Sequence, residues 1–259
     1  MSASAPAPRS SSDRFGILLE RRDDADFPFY DGRPVRLPAW RWMLALAGCV
    51  VAYLTLVLPP VATPEQGLAV RLIATGIGVG SVVVAWGRHA ASLVRRPRWA
   101  DLGVLAVFLL LTIISNAVVG LLFAAAGVST NANSIESTLL DPDPVERVLF
   151  FIGFPVQMVL EQLLITVPFL AGLAAISAAG VSRKPAVVVS TLGAAVLFGL
   201  LHLHAYDWNV LQCVLAIGVI STLMHLTYVR TKNILVAWAF HVLYDLASFA
   251  VIMAGPSPA

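Results

Sequence analysis

A chain of 259 residues with 58% apolar and only 12% charged side chains carries about half the charge of a water-soluble domain, whose composition runs near 45–50% apolar and about 25% charged. That balance excludes a soluble globular domain, a disordered chain, a collagen and a long coiled coil. It leaves a polytopic membrane protein, each span of which takes about 20 mostly apolar residues. The formal net charge of +2 gives no reason to expect a nucleic-acid partner. Cys49 and Cys213 both lie inside apolar runs and read as small buried hydrophobes, not as a disulfide framework.

Residues 1–39 mix Pro, Ser, Arg and Asp and have no apolar core of the kind a cleavable signal peptide needs. They read as a largely disordered cytosolic tail. Two short apolar clusters interrupt it, Ile17-Leu18-Leu19 and Phe27-Pro28-Phe29-Tyr30, and these are the parts with something to offer a partner or a membrane surface. Residues 40–255 read as the transmembrane domain, with seven apolar segments at approximately 40–58, 68–86, 102–126, 149–178, 186–203, 210–229 and 234–253. The expected fold is therefore all-α, a polytopic membrane helical bundle.

The connections between these segments alternate in charge. One set collects Arg33, Arg36 and Arg41, then Arg88, Arg95, Arg96 and Arg98, then Arg183 and Lys184, then Arg230 and Lys232, while the other holds Glu65, Glu136, Asp141, Asp143, Glu146 and Asp207, with Arg71 and Arg147 near its boundary. The positive-inside rule then places the N-terminus in the cytoplasm, and the short loops suggest a bacterial cytoplasmic membrane. In the longest inter-span loop, Asp143 precedes Pro144, which marks a helix start. No internal repeat of the kind that builds many transporters is visible.

Ionisable residues inside spans are the exceptions that carry information, because a charge near the bilayer centre costs on the order of 2.5–3.5 kcal/mol by insertion scales. Glu161, His202, His241 and Asp245 are such residues, and they come from three separate spans. His241 and Asp245 stand four apart, on one helical face where the carboxylate can accept from the imidazole. Phe198 has the same relation to His202, so its ring covers one side of that histidine. His89 and His225 fall near the basic boundary, and His204 and Asp207 near the acidic one, where Tyr206 and Trp208 suit interfacial anchoring.

Two further motifs give this set a known form. Phe198-Gly199-Leu200-Leu201-His202 and His241-Val242-Leu243-Tyr244-Asp245 resemble the second and third motifs of the CPBP family of membrane proteases, the CAAX proteases and bacteriocin-processing enzymes also called the Abi family. The basic turn Tyr228-Val229-Arg230-Thr231-Lys232-Asn233-Ile234 ahead of the last motif is similar too, and the resemblance covers about 146–250. It implies a four-helix catalytic core. The family's first motif, Glu-Glu-x-x-x-Arg, reads here Glu161-Gln162-Leu163-Leu164-Ile165-Thr166. Loss of both members of a buried pair is milder than loss of one, since a broken pair leaves an uncompensated charge costing roughly 3–5 kcal/mol whereas replacing both is often neutral.

The resemblance implies hydrolysis of a peptide bond in a membrane-associated or prenylated peptide or protein substrate, in contact with membrane lipids. Glu161 would take a proton from water, His202 would hold the same water, His241 would donate to the oxyanion, and Asp245 would orient His241. Phe198 and Gln162 are the expected substrate-pocket residues. No cofactor is implied, although Glu161, His202 and His241 are also reasonable zinc ligands. Two other classes remain open on sequence alone. One is a non-catalytic family member acting as a membrane scaffold or immunity-type peptide-binding protein, and the other is a proton-coupled transporter.

Overall fold

Every one of the seven apolar segments is a helix. In the computed structural model, in which residues 13–21, 23, 25–141 and 143–255 are described, the helices are α1 (Ala39–Val57), α2 (Pro64–Trp86), α3 (Trp99–Ala125), the short α4 (Ile135–Leu139), α5 (Pro144–Ala178), α6 (Arg183–Leu201), α7 (Gly218–Thr231) and α8 (Ile234–Ala254). A π-helical turn, Gln212–Ile217, runs directly into α7. No strand occurs among the described residues, and seven of the helices are long and apolar enough to cross a membrane. The chain is an all-α, integral, multi-pass membrane protein.

Local chemistry sets where these helices begin. Thr63 accepts from the Gln66 amide ahead of Pro64, and Asp143 accepts from the Val145 amide ahead of Pro144. Both supply an acceptor to an otherwise orphan donor, with proline at the position where a missing N–H costs nothing. Asn233 does the same for α8 through the Leu235 amide, and its side chain also pairs in both directions with the backbone of Arg95. The turn into α8 is thereby tied to the α2–α3 connection.

Packing follows from which helices have something to hide. Over their most apolar windows α5 and the stretch Gln212–Thr231 that ends with α7 are each 56% buried, against 17% for α1 and for α3, so α1 and α3 are peripheral, and α5 is the central helix because it meets four other spans. α5 packs on α1, α2, α6 and α8. The outward leucines and isoleucines of α3, such as Leu110, Ile113 and Leu121, are exposed, as a helix facing lipid requires. α1 and α2 approach closely through Ala45, Gly48 and Ala52 on one side and Ala74, Gly78 and Ser81 on the other. A Cβ on Gly48 would collide with Ser81, which is the small-residue logic of helix contacts in membranes.

Here the structure departs from the sequence reading of residues 1–39 as a largely disordered tail. The described residues between 13 and 38 are laid across the basic end of the bundle, while 1–12, Arg22 and Asp24 lie outside the described residues. Phe27 is buried against Phe169 and Tyr228, with the Arg183 guanidinium and the Lys232 ammonium over its ring. Phe29 packs on Trp42 and Trp86. Glu20, 1% exposed, receives hydrogen bonds from Arg183 at 2.5 and 2.8 Å and from Lys232 at 2.6 Å. Asp26 takes a further one from Arg183 at 2.8 Å, and Arg21 pairs with Asp101. Ile17 and Leu18 stay exposed, their carbonyls accepting from Arg230.

The reason for the difference is that an average over composition misses pairing. Buried cations at the start of α6 and the end of α7 need anions, and among the described residues Glu20 and Asp26 of the tail bring them. Burial pushes the Glu20 carboxyl up, but the hydrogen bonds from Arg183 and Lys232 and the Lys232 charge overcome this and hold it down at about 2. Burial draws the Lys232 ammonium down to about 8, with Glu20 opposing. The pair is thus ionised between those values.

Replacing Glu20 with Ala strands Lys232 and should cost about 3–5 kcal/mol, whereas adding Lys232→Met should recover part of that loss; unfolding in detergent compares the two. Because the folded Glu20 titrates below its ordinary 4.5, its contribution is complete above that value and is lost as pH falls from 4.5 toward 2. The Glu20→Ala protein should lack this acid-dependent component.

Candidate active site

Glu161 lies midway along α5, and the two histidines reach it from the end of α6 and from within α8. His202 is the residue that ends α6. The chain then turns through His204–Tyr206 and the left-handed residues Asp207 and Trp208 before it re-enters a helix. This turn is held from the loop before α4: the Ser134 amide donates to the Ala205 carbonyl at 2.9 Å, Asn131 to the Tyr206 carbonyl at 3.1 Å, and Asn133 to the Tyr206 hydroxyl at 3.1 Å. Gln212 bonds the Asn131 backbone in both directions. The π-helical turn is seated against Gly199, one turn before His202, where a Cβ would collide with the Cys213 carbonyl. Such turns are frequent at functional sites. His241 and Asp245 come from α8.

The four side chains sequence reasoning singled out are brought together. Glu161 Oε2 lies 3.9 Å from His202 Nε2 and 3.7 Å from His241 Nε2, and the latter nitrogen is 3.5 Å from Asp245 Oδ2. His202 Nδ1 is 2.9 Å from the Phe198 carbonyl. A carbonyl only accepts, so this nitrogen carries a proton, and whenever the ring is neutral Nε2 is its acceptor, on the side of Glu161. His241 is arranged the other way. Two carboxylates face its Nε2, which favours a proton there, while Nδ1 is buried with no partner among the described residues. One histidine offers an acceptor and the other a donor, and a carboxylate oxygen lies beside both.

Of the two expected pocket residues, the structure brings one to this cluster. Phe198 packs its ring 4.7 Å from that of His202 and 6.0 Å from that of His241, so it lies against both imidazoles. Gln162 is 2% exposed, and its Nε2 donates to Thr166 Oγ1 at 3.0 Å. The two positions where the family motif has Glu and Arg thus keep their contact as a neutral hydrogen bond, and the Gln162 amide is spent on it. No set of three His, Cys, Asp or Glu side chains among the described residues is arranged as metal ligands. His225 is fully buried against Phe169 and Tyr228, remote from this chemistry in its contacts.

Sequence reasoning missed two residues that touch the site's surroundings. Gln157 Nε2 donates to Glu161 Oε1 at 2.7 Å, and Arg71 of α2 donates from Nε to Gln157 Oε1 at 3.0 Å. Gln157 was legible in principle, since it precedes Glu161 by four and shares its helical face. Arg71 was not, because a lone arginine near a span boundary looks like any other. Tyr53 of α1 donates to the Leu201 carbonyl at 2.7 Å, which fixes the end of α6 just before His202.

Residues 143–247 match the family described as type II CAAX prenyl endopeptidase Rce1-like, a span that contains Glu161, His202, His241 and Asp245. Comparison with curated proteins and with solved structures returns no match.

Since only the absence of a side chain lets the Cys213 carbonyl approach α6, Gly199→Ala should force the π-helical turn away and cost about 1–3 kcal/mol, the usual range for overpacking. Thermal unfolding in detergent checks this, with Gly193→Ala, where a Cβ meets nothing within 4 Å, expected to be neutral or mildly stabilising.

Proposed function

Because residues 143–247 are a domain of the CAAX-protease family of intramembrane endopeptidases, we propose that this chain hydrolyses a peptide bond in a membrane-associated or prenylated peptide substrate, with Glu161 activating the attacking water. The observation that carries the reading is a single carboxylate oxygen, Glu161 Oε2, set within 3.9 Å of two imidazole nitrogens of opposite hydrogen-bonding sense.

Water is a poor nucleophile near neutral pH, so a base has to take its proton as the new bond forms. In the proposed step the water oxygen attacks the scissile carbonyl carbon, one proton passes to Glu161, and the other is held by the lone pair of His202 Nε2. The carbonyl oxygen becomes an oxyanion and accepts from His241 Nε2, a donor already in place before the charge develops. Asp245, on the same nitrogen, keeps that proton on Nε2. Collapse of the intermediate breaks the C–N bond, and the proton on Glu161 goes to the leaving amine. One water is consumed, and a carboxylic acid and an amine are released. Phe198 limits water beside both rings.

This route needs no metal, and the test is built to separate it from a metal-assisted one. The proposed orientation puts the arginine-rich rim, with the N-terminal segment, on the cytoplasmic side of a bacterial membrane, consistent with the positive-inside rule.

Purified protein in lipid should cleave a library of prenylated and membrane-spanning peptides, and Glu161→Gln should lower kcat by roughly 100- to 10,000-fold, the ordinary worth of general acid–base catalysis. Activity that survives strong chelators supports the glutamate route. Chelator sensitivity reversed by added zinc would replace it with a metal-assisted one, and activity retained by Glu161→Gln would remove Glu161 from the chemistry.

A further inference from the structure

The altered first motif leaves Glu161 without the arginine that the motif places five residues further along the helix. Thr166 stands where the resemblance expects the cation, and its hydroxyl is taken by Gln162. A carboxylate that ionises inside an apolar bundle still needs compensation, because taking the charge out of water is costly. The cation comes from outside the family-like segment. Arg71, on α2, donates to Gln157 Oε1 at 3.0 Å, and Gln157 Nε2 donates to Glu161 Oε1 at 2.7 Å.

The direction of this chain is unambiguous. A guanidinium has only donors, so the Gln157 oxygen has to face Arg71, and the amide nitrogen then has to face Glu161. Pulling on the amide oxygen polarises its N–H groups, which strengthens the second bond beyond that of an isolated amide. Arg71 is itself held. Its guanidinium lies 5.1 Å from the Phe150 ring centroid, and its stem passes Gly153, where a Cβ would come within 3.0 Å of Arg71 Cδ. A glycine in the first third of α5 gives the arginine its path.

The consequence for geometry is specific. A carboxylate has two oxygens, and this arrangement ties one of them, Oε1, so that Oε2 is the oxygen presented to His202 and His241. We infer that Arg71 and Gln157 are positioning residues that fix the rotation of the Glu161 carboxylate and supply, from a neighbouring helix, the cation that the first motif lacks. Neither touches the reacting atoms. The inference rests on Glu161 being the base, as proposed above.

Steady-state kinetics on Arg71→Met, Arg71→Lys, Gln157→Met and the Arg71→Met/Gln157→Met double variant test it. Misplacing a catalytic group by about 1 Å costs up to about 100-fold, so each Met variant should lose roughly 10- to 100-fold in kcat, with KM within about threefold. The double variant should be no worse than Gln157→Met alone, because the two act in series. Arg71→Lys, which keeps a donor and a charge, should recover most of the loss. Losses that multiply in the double variant, a change confined to KM, or Met variants within twofold of wild type would each overturn the inference. If Arg71→Met does not fold, Arg71→Lys and Gln157→Met decide the matter by the same criteria. Glu161→Gln is measured alongside: its retention of activity would sink the underlying catalytic reading, whereas its inactivity with unaffected Gln157→Met would sink only the positioning role.

Discussion

An ionised carboxylate cannot sit unassisted in a medium without water, and much of this structure is the answer to that constraint at Glu161. Desolvation makes the bare charge expensive, so donors have to converge on it. Gln157 of α5 donates to it directly, Arg71 of α2 stands behind Gln157, and His241 Nε2 of α8 lies 3.7 Å away. The central place of α5 follows, because only a helix with neighbours on all sides can present one side chain to so many. The same economy explains the neutral Gln162–Thr166 bond one residue away. Two charges beside an already charged group would each need further partners, and a hydroxyl and an amide satisfy each other.

A second set of buried charges, at the basic end of the bundle, is connected to the first by the stiffness of helices. Arg183 opens α6, and His202 closes it. Lys232 and Asn233 form the whole connection between α7 and α8, and His241 follows within α8. Glu20 joins Arg183 to Lys232, while Asn233 joins the same turn to the α2–α3 connection. Because an α-helix rises by about 1.5 Å per residue with little give, clamping the starts of α6 and α8 to one carboxylate sets the relative height of the two imidazoles. The described part of the N-terminal segment thereby ties these helix ends together at the basic end of the bundle.

How far the site could be read in advance varied with the range of the interactions involved. The relations of Phe198 to His202 and of His241 to Asp245 are four-residue spacings within single helices, and both appear in the structure as contacts. The end of α6 at His202 depends on contacts far along the chain, which four-residue spacings do not carry. A turn stitched to residues 131–134 and seated on Gly199 brings it into place. The tail was misjudged for a related reason. Its charges alternate along the chain as in a solvated segment, yet they pair across it, Arg21 with Asp101 and Asp23 with Arg98.

The amino-acid sequence by itself determined the seven spans, the start of α5 at Pro144, and that Glu161, His202, His241 and Asp245 belong to apolar segments. Hydropathy, capping and helical spacing are sums over neighbours a few residues apart, so they survive without knowledge of the fold. Tertiary structure alone decided which ring nitrogen of each histidine carries its proton, which oxygen of Glu161 is left for them, that Arg71 supplies the compensating cation, and that Glu20 anchors the N-terminal segment. Each of these depends on the direction of a donor or acceptor belonging to a residue distant in the chain, or on the exact seat of a helix end. Direction of that kind is created only when the helices pack.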